Sequence, residues 1–235
     1  MYCNIKNLAG WIKNSFIDFP GAVSTVLFFS GCNLRCPYCH NYQFVVSPQN
    51  IADKSEVIWE HLERRKRFID GVVISGGEPT LQNNLKTIIY EIRKLGLKVK
   101  LDTNGLLPEV LSDLTIDYLA LDIKTIPSLY PSLLKADIEE IVYRLRQSIK
   151  IVTEMKENAE VRITVAPRMI SKEHIFSLNK FLHGVKRIYL QKVDLGKRIL
   201  LPSFFNSLNI PTSTELKEYQ NILNSNGKSC FIRDE

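Results

Sequence analysis

Val23-Ser24-Thr25-Val26-Leu27-Phe28-Phe29 runs without a break into Ser30-Gly31-Cys32-Asn33-Leu34-Arg35-Cys36-Pro37-Tyr38-Cys39-His40-Asn41. The first seven residues are mostly β-branched, apolar or aromatic, which is the composition of a buried strand. The segment from Ser30 to Asn41 is polar, contains Gly and Pro, and holds three of the chain's five cysteines. A strand that empties into a ligand-bearing loop is the working unit of a parallel α/β protein, where strand-end loops gather on one rim.

The same unit recurs outward from this stretch. Strands are predicted at Val23 to Phe29, Gly71 to Ser75, Leu97 to Asp102, Tyr118 to Lys124, Val161 to Val165 and Arg187 to Val193. Amphipathic segments lie between them at Ser55 to Arg67, Leu81 to Leu95, Pro108 to Leu114, Ile138 to Met155 and Lys172 to His183. This alternation predicts six parallel strands joined by helical crossovers, as an open doubly wound sheet or an incomplete barrel. Polar or Gly-rich clusters close five of the candidate strands: Gly31 to Asn41, Ser75 to Pro79, Asp102 to Gly105, Asp122 to Thr125 and Gln191 to Asp194. Five clusters on one rim point to one active site. Pro202 to Glu235 carries a short helix at Thr214 to Asn224 and is expected to cover an open side of the sheet.

At 235 residues and 45% hydrophobic composition, the chain suits a single domain, with a core from about Trp11 to Gly196 and an extension over 197–235. Its net charge of +6 is read as solvated Lys and Arg on helix faces rather than as a nucleic-acid site. Arg64-Arg65-Lys66-Arg67 supports this, because cations at the end of a helix complement its dipole. No run approaches the roughly 20 apolar residues of a membrane span, and Met1 to Gly10 lacks a signal pattern. A cytoplasmic protein is expected. An odd cysteine count with three thiols inside eight residues argues for a reduced metal site over a disulfide framework. Cys3 and Cys230 read as ordinary thiols.

Cys32, Cys36 and Cys39 come from one loop at C-x-x-x-C-x-x-C spacing. Three thiolates without a fourth suit an iron-sulfur cluster with one open iron, whereas ferredoxin-type clusters are fully ligated by four cysteines. A structural zinc would need His40 or Cys230 as fourth ligand, and the adjacent Cys39 and His40 are poorly placed for one tetrahedral ion. Ser75-Gly76-Gly77-Glu78-Pro79 ends the second strand; it is either a plain turn or a place where backbone meets a ligand, with Gly77 at closest approach.

These motifs resemble the radical S-adenosylmethionine (SAM) superfamily, through C-x-x-x-C-x-φ-C with Tyr38 before the last cysteine. More narrowly they resemble the activating enzymes of glycyl radical enzymes, and most of all the short activators of anaerobic ribonucleoside-triphosphate reductase. That match rests on Ser15 to Gly21, Cys36 to Asn41, Asp102-Thr103-Asn104-Gly105, Asp122-Ile123-Lys124, Val161 to Pro167 and Leu190-Gln191. The resemblance implies an incomplete (β/α)6 TIM-type barrel holding one 4Fe-4S cluster on Cys32, Cys36 and Cys39. It implies reductive cleavage of SAM to a 5′-deoxyadenosyl radical, which abstracts hydrogen from a glycine of a partner glycyl radical enzyme. A flavodoxin or ferredoxin-type protein would supply the electron, with no nucleic acid or membrane involved.

Further site residues are implied by the same resemblance. Gly76, Gly77 and Glu78 match the glycine-rich SAM motif. Tyr38 and His40 meet the adenine and cluster surroundings, against core packing for Tyr38 and loop capping for His40. Asp102, Thr103, Asp122 and Lys124 surround SAM and a monovalent cation, with Asn104 in the same polar floor; the plainer reading of Asp122 and Lys124 is a surface ion pair. Arg162 faces the same cavity, and Gln191 fits the reductase-activator pattern. Pyruvate formate-lyase activators place a ligand-contacting histidine where this chain has Val193, before Asp194-Leu195-Gly196, so that contact does not carry over. The rivals are a pyruvate formate-lyase activator and a small-molecule enzyme such as 7-carboxy-7-deazaguanine synthase, whose usual Cys-x-Trp-Cys-Asp contrasts with Cys36-Pro37-Tyr38-Cys39-His40. The non-enzymatic rival is an electron carrier or zinc module.

Overall fold

Consecutive apolar residues make the central strands. Val72, Val73 and Ile74 are all fully buried, as in a strand covered on both faces, which only a parallel α/β layer provides. The computed structural model describes residues 2–46, 54–194, 198–205, 210–225 and 227–233. Among them, eight strands form one sheet in sequence order: β1 Leu8–Phe19, β2 Ala22–Phe29, β3 Gly71–Gly76, β4 Lys98–Thr103, β5 Tyr118–Asp122, β6 Ala159–Val165, β7 Arg187–Lys192 and β8 Ser229–Arg233. The helices are α1 Tyr42–Val46, α2 Ser55–Arg65, α3 Leu85–Lys94, α4 Pro108–Ser112, α5 Ile138–Met155, α6 Lys172–Phe181 and α7 Ser213–Leu223. The chain falls into two compact units.

The first unit comprises Met1–Asn33, Asn41–Thr103 and Glu109–Leu119. Here β2 pairs in parallel with β3, and β3 with β4. Helix α3 buries Leu85, Ile88, Ile89 and Ile92, the i, i+3, i+4, i+7 stripe of an amphipathic helix, each residue contributing about 1.5–3 kcal/mol of burial. Gly96, at φ 80°, closes it in the left-handed region that glycine adopts without penalty. Phe19, Val26, Val73 and Tyr118 form an apolar cluster. Ser75 succeeds Val73 on the same face of β3, so the apolar base passes within two residues to a polar end.

Six expected strands become eight. Strand β1, antiparallel to β2, has no clear signal in the sequence because three register shifts break its periodicity and it exposes Phe16 and Ile17. Edge strands carry such irregularities because a straight edge invites pairing with another chain.

The second unit comprises Leu34–His40, Asn104–Pro108 and Ala120–Glu235. Strands β6, β7 and β8 pair in parallel. Along β6, Val161, Ile163 and Val165 are buried while Arg162 and Thr164 are half-buried, so one face is apolar and the other polar. Helix α5 starts at Asp137, whose carboxylate accepts from the Glu139 N–H at 2.7 Å. Reciprocal capping boxes start α6 (Ser171 with His174) and α7 (Thr212 with Glu215). The C-terminal stretch is built onto the end of the sheet. It supplies α7 and then β8, in register with β7 from Arg187↔Ser229 to Gln191↔Arg233, and so adds another helix-strand unit to the sheet. Strand β5 ends at Asp122, two residues short of the predicted Lys124. The Leu195-Gly196 pair, where the expected core ends, lies outside the described residues.

Candidate functional site

In the first unit, the start of the cysteine loop is tied to the glycine-rich turn after β3. The Glu78 N–H donates to Gly31 O, and the Gly77 N–H donates to Phe29 O, both at 2.8 Å. The Gly31 N–H in turn donates to Phe44 O at 2.8 Å. A Cβ at Gly77 would stand 2.0 Å from Gly31 O, and one at Gly76 would stand 2.3 Å from the Phe29 nitrogen. Close backbone packing therefore demands both glycines, irrespective of any ligand. The Asn41 amide adds a hydrogen bond to Gly76 O at 3.1 Å.

Glu78 is fully buried. Its Oε1 accepts from the Thr80 N–H at 3.0 Å, the Thr80 hydroxyl at 2.6 Å and the Thr103 hydroxyl at 2.7 Å. The carboxylate caps the 3-10 turn Pro79–Leu81 and ties the end of β3 to the end of β4. Asp102 takes Ser75 Oγ as donor at 3.2 Å and is paired with Lys100. Lys100 carries no local signal of this role, because Lys98-Val99-Lys100 reads in sequence as an alternating surface strand.

In the second unit, Asp122 is the centre of charge. Arg162 donates from Nε to Oδ1 at 2.7 Å and from Nη2 to Oδ2 at 3.1 Å, and Lys124 Nζ lies 3.1 Å from Oδ2. The bidentate geometry is the strong form of this pairing. Burial opposes ionisation of Asp122, but the two cations outweigh it and hold its carboxyl well below the usual carboxylate range. For Lys124, burial is outweighed by Asp122 and by Cys36, so the ammonium is held above its ordinary value. The Asp122–Lys124 pair is thus part of a half-buried triad and not a surface pair.

Tyr38 donates to Lys124 O at 3.3 Å, and the Lys124 N–H donates to Tyr130 Oη at 3.1 Å. Burial pushes the Tyr38 phenol well above its ordinary range. His40 Nε2 lies 2.8 Å from Asp194 O. Asn104 accepts from the Leu106 N–H at 3.1 Å, which closes the turn after β4. Gln191 lies beside Thr164 in register and shares the half-buried face of Arg162. Among the described residues, no three His, Cys, Asp or Glu side chains close on a single point. In a 4Fe-4S cube each thiolate binds its own iron, so such convergence is not required.

The sequence pattern that defines the Radical SAM superfamily matches residues 26–182. The chain belongs to this superfamily. Within it, a Methanocaldococcus jannaschii protein named as a glycyl-radical enzyme activating enzyme is 33% identical over 96% of this chain and 95% of its own length. A 7-carboxy-7-deazaguanine synthase of Methanopyrus kandleri is 32% identical over 74% of each chain. Among solved structures, Streptococcus suis SuiB bound to S-adenosylmethionine superposes with TM-score 0.63 at 16% identity, covering 89% of this chain and 52% of SuiB. The chain spans about half the length of that protein, and the likeness bears on fold alone: an α/β fold of mostly parallel strands, the partial-barrel class of the radical SAM enzymes.

A radical SAM enzyme carries a 4Fe-4S cluster and SAM, and the donor set here suits them. All five cysteines are reduced thiols, with Cys32 and Cys39 half-buried and Cys36 buried. A Cβ built at Gly31, beside the first cysteine, meets nothing within 4 Å. Cys230 is a different kind of thiol: burial pushes it up to about 12, so it stays protonated and inert.

Proposed function

We propose that this radical SAM enzyme generates a glycyl radical on a partner protein, and that the partner is an anaerobic ribonucleoside-triphosphate reductase. The observation that carries the first part is the end-to-end match to a relative named as a glycyl-radical enzyme activating enzyme. The choice of partner is supported by resemblance, through Ser15 to Gly21 and Gln191. Cys32, Cys36 and Cys39 hold the cluster, and Gly76, Gly77, Glu78, Asp102, Thr103, Asn104, Asp122, Lys124, Arg162, Gln191, Tyr38 and His40 bind and enclose SAM. When bound, the reduced cluster and SAM supply a 5′-deoxyadenosyl radical that takes a hydrogen atom from the target glycine. This chain's residues hold the ligand's charged ends and exclude competing hydrogen donors. Lys124 and Arg162 outnumber Asp122 by one positive charge, which suits a carboxylate at that end. The electron comes from a flavodoxin or ferredoxin-type donor, and the reducing cytoplasm is the compartment in which such a cluster persists.

The test is anaerobic incubation of reconstituted protein, reductant, SAM and a candidate reductase. A glycine-centred signal in electron paramagnetic resonance, with 5′-deoxyadenosine formed, is the expected result; 5′-deoxyadenosine without that signal rejects the partner. A second reading is favoured by the deazaguanine synthase relative. It predicts turnover of a small-molecule substrate with no protein partner, and Cys36-Pro37-Tyr38-Cys39-His40 in place of that family's usual motif speaks against it.

A further inference from the structure

Strand β4 carries a buried cation to which SAM binding and radical formation assign no task. Lys100 and Asp102 are two apart, so both project from one face of the strand. The side chain of Lys100 is 2% exposed and that of Asp102 is 11% exposed, and the ammonium is paired with Oδ1 of the carboxylate. Ser75, on β3, donates to Oδ2 at 3.2 Å. The neighbouring Thr103 hydroxyl donates to Glu78 at 2.7 Å. The carboxylate that would hold a monovalent metal cation therefore already has its charge met, by the ammonium. A metal ion brought to Asp102 would face the Lys100 ammonium across a poorly solvated space, where like charges repel more strongly than in water. Desolvating a lysine so completely is costly, and a paired carboxylate is what offsets it.

We propose that the Lys100 ammonium is a built-in counter-ion, a positioning residue that takes the place of a monovalent metal cation at Asp102 and makes SAM binding independent of added K+ or Na+. The inference rests on the assignment of Asp102 to SAM binding. Lys100 balances the charge of the carboxylate and fixes it in the orientation in which it meets the ligand. Replacing the ammonium by an uncharged side chain of similar length vacates the position and reopens it to a metal ion.

The experiment measures SAM affinity of the anaerobically reconstituted holoenzyme by equilibrium dialysis, in KCl, NaCl and choline chloride at equal ionic strength, with thermal melting of each sample alongside. Wild type is expected to bind within about twofold in all three salts, whereas Lys100→Met binds about tenfold more weakly in choline chloride and recovers in KCl. Lys100→Arg, which keeps the charge, is expected to stay salt-indifferent, and Lys100→Met with Asp102→Asn to lose the recovery. A wild type that needs K+ overturns the proposal without reference to any variant. So does a Lys100→Met protein that melts as a folded protein yet binds SAM equally in KCl and choline chloride. Wild type that binds no SAM in any salt takes down the assignment of the site as well, which is a distinguishable failure.

Discussion

Replacing Gly77 by Ala tests the most confined point of the first unit. The added Cβ would stand 2.0 Å from Gly31 O, where a tolerable contact needs at least 3.0 Å, so something must shift by 3.0 − 2.0 = 1.0 Å or more. The obstructing atom is backbone, and it is held: Gly31 O accepts from the Glu78 N–H, and the Gly31 N–H donates to Phe44 O, each at 2.8 Å. The shift breaks the Glu78 bond and strains the Gly77 bond to Phe29 O. Two backbone hydrogen bonds are worth about 1 kcal/mol each, and overpacking adds about 1–3 kcal/mol, for a loss of about 3–5 kcal/mol. Urea unfolding followed by circular dichroism measures it, with a midpoint lower by about 1 M or more. The control is Gly10→Ala, whose Cβ would meet only Phe44 at 3.9 Å and Phe28 at 4.0 Å; it should fall within about 0.5 kcal/mol of wild type. Since Gly31 precedes the first cysteine, the Gly77→Ala protein should also retain less iron after reconstitution. A Gly77→Ala protein within about 1 kcal/mol of wild type would refute the packing argument.

The other expectations concern charge and thiols. Glu78→Ala leaves the Thr80 N–H and two hydroxyls without their acceptor, so a loss of about 2–4 kcal/mol is expected in the same urea assay. Asp122→Asn breaks the half-buried triad and should cost about 2 kcal/mol at neutral pH. Because the folded carboxyl is held below its unfolded value of about 4, the triad's contribution is complete above that pH and is lost as pH falls below it. The stability gap between wild type and Asp122→Asn should therefore close in acid, and a gap that widens there contradicts the assignment. Cys36→Ala should abolish both the brown cluster chromophore and 5′-deoxyadenosine formation, whereas Cys230→Ala keeps both. In the apoprotein, iodoacetamide at pH 8 should modify Cys32 and Cys39 and spare Cys230, as peptide mass spectrometry would read.

The strands β2 to β7 were legible because parallel strands buried on both faces read as short β-branched runs, and Val72-Val73-Ile74 has no other reasonable home. Helix α5 is predicted at its observed bounds, Ile138–Met155, because its apolar residues keep helical spacing. The two end strands lacked such a signal. Strand β1 mixes buried and exposed residues without a period, and of the five residues of β8 only Cys230 is buried; each is placed by its pairing with a neighbour strand, β2 or β7. The charged sites divide in the same way. The Asp122–Lys124 spacing was visible locally, but the decisive partner, Arg162, is 40 residues away on β6.

By itself, the sequence determined the alternating α/β plan, the cysteine loop behind its first parallel strand, and membership in the radical SAM superfamily, because these depend on residue type and spacing over a few tens of residues. Tertiary structure decided why Gly76 and Gly77 must be glycine, that Glu78 serves as an internal latch, and that Lys100 is an interior cation rather than a surface lysine. Those facts depend on which atoms approach from other strands, and on how little water remains between them.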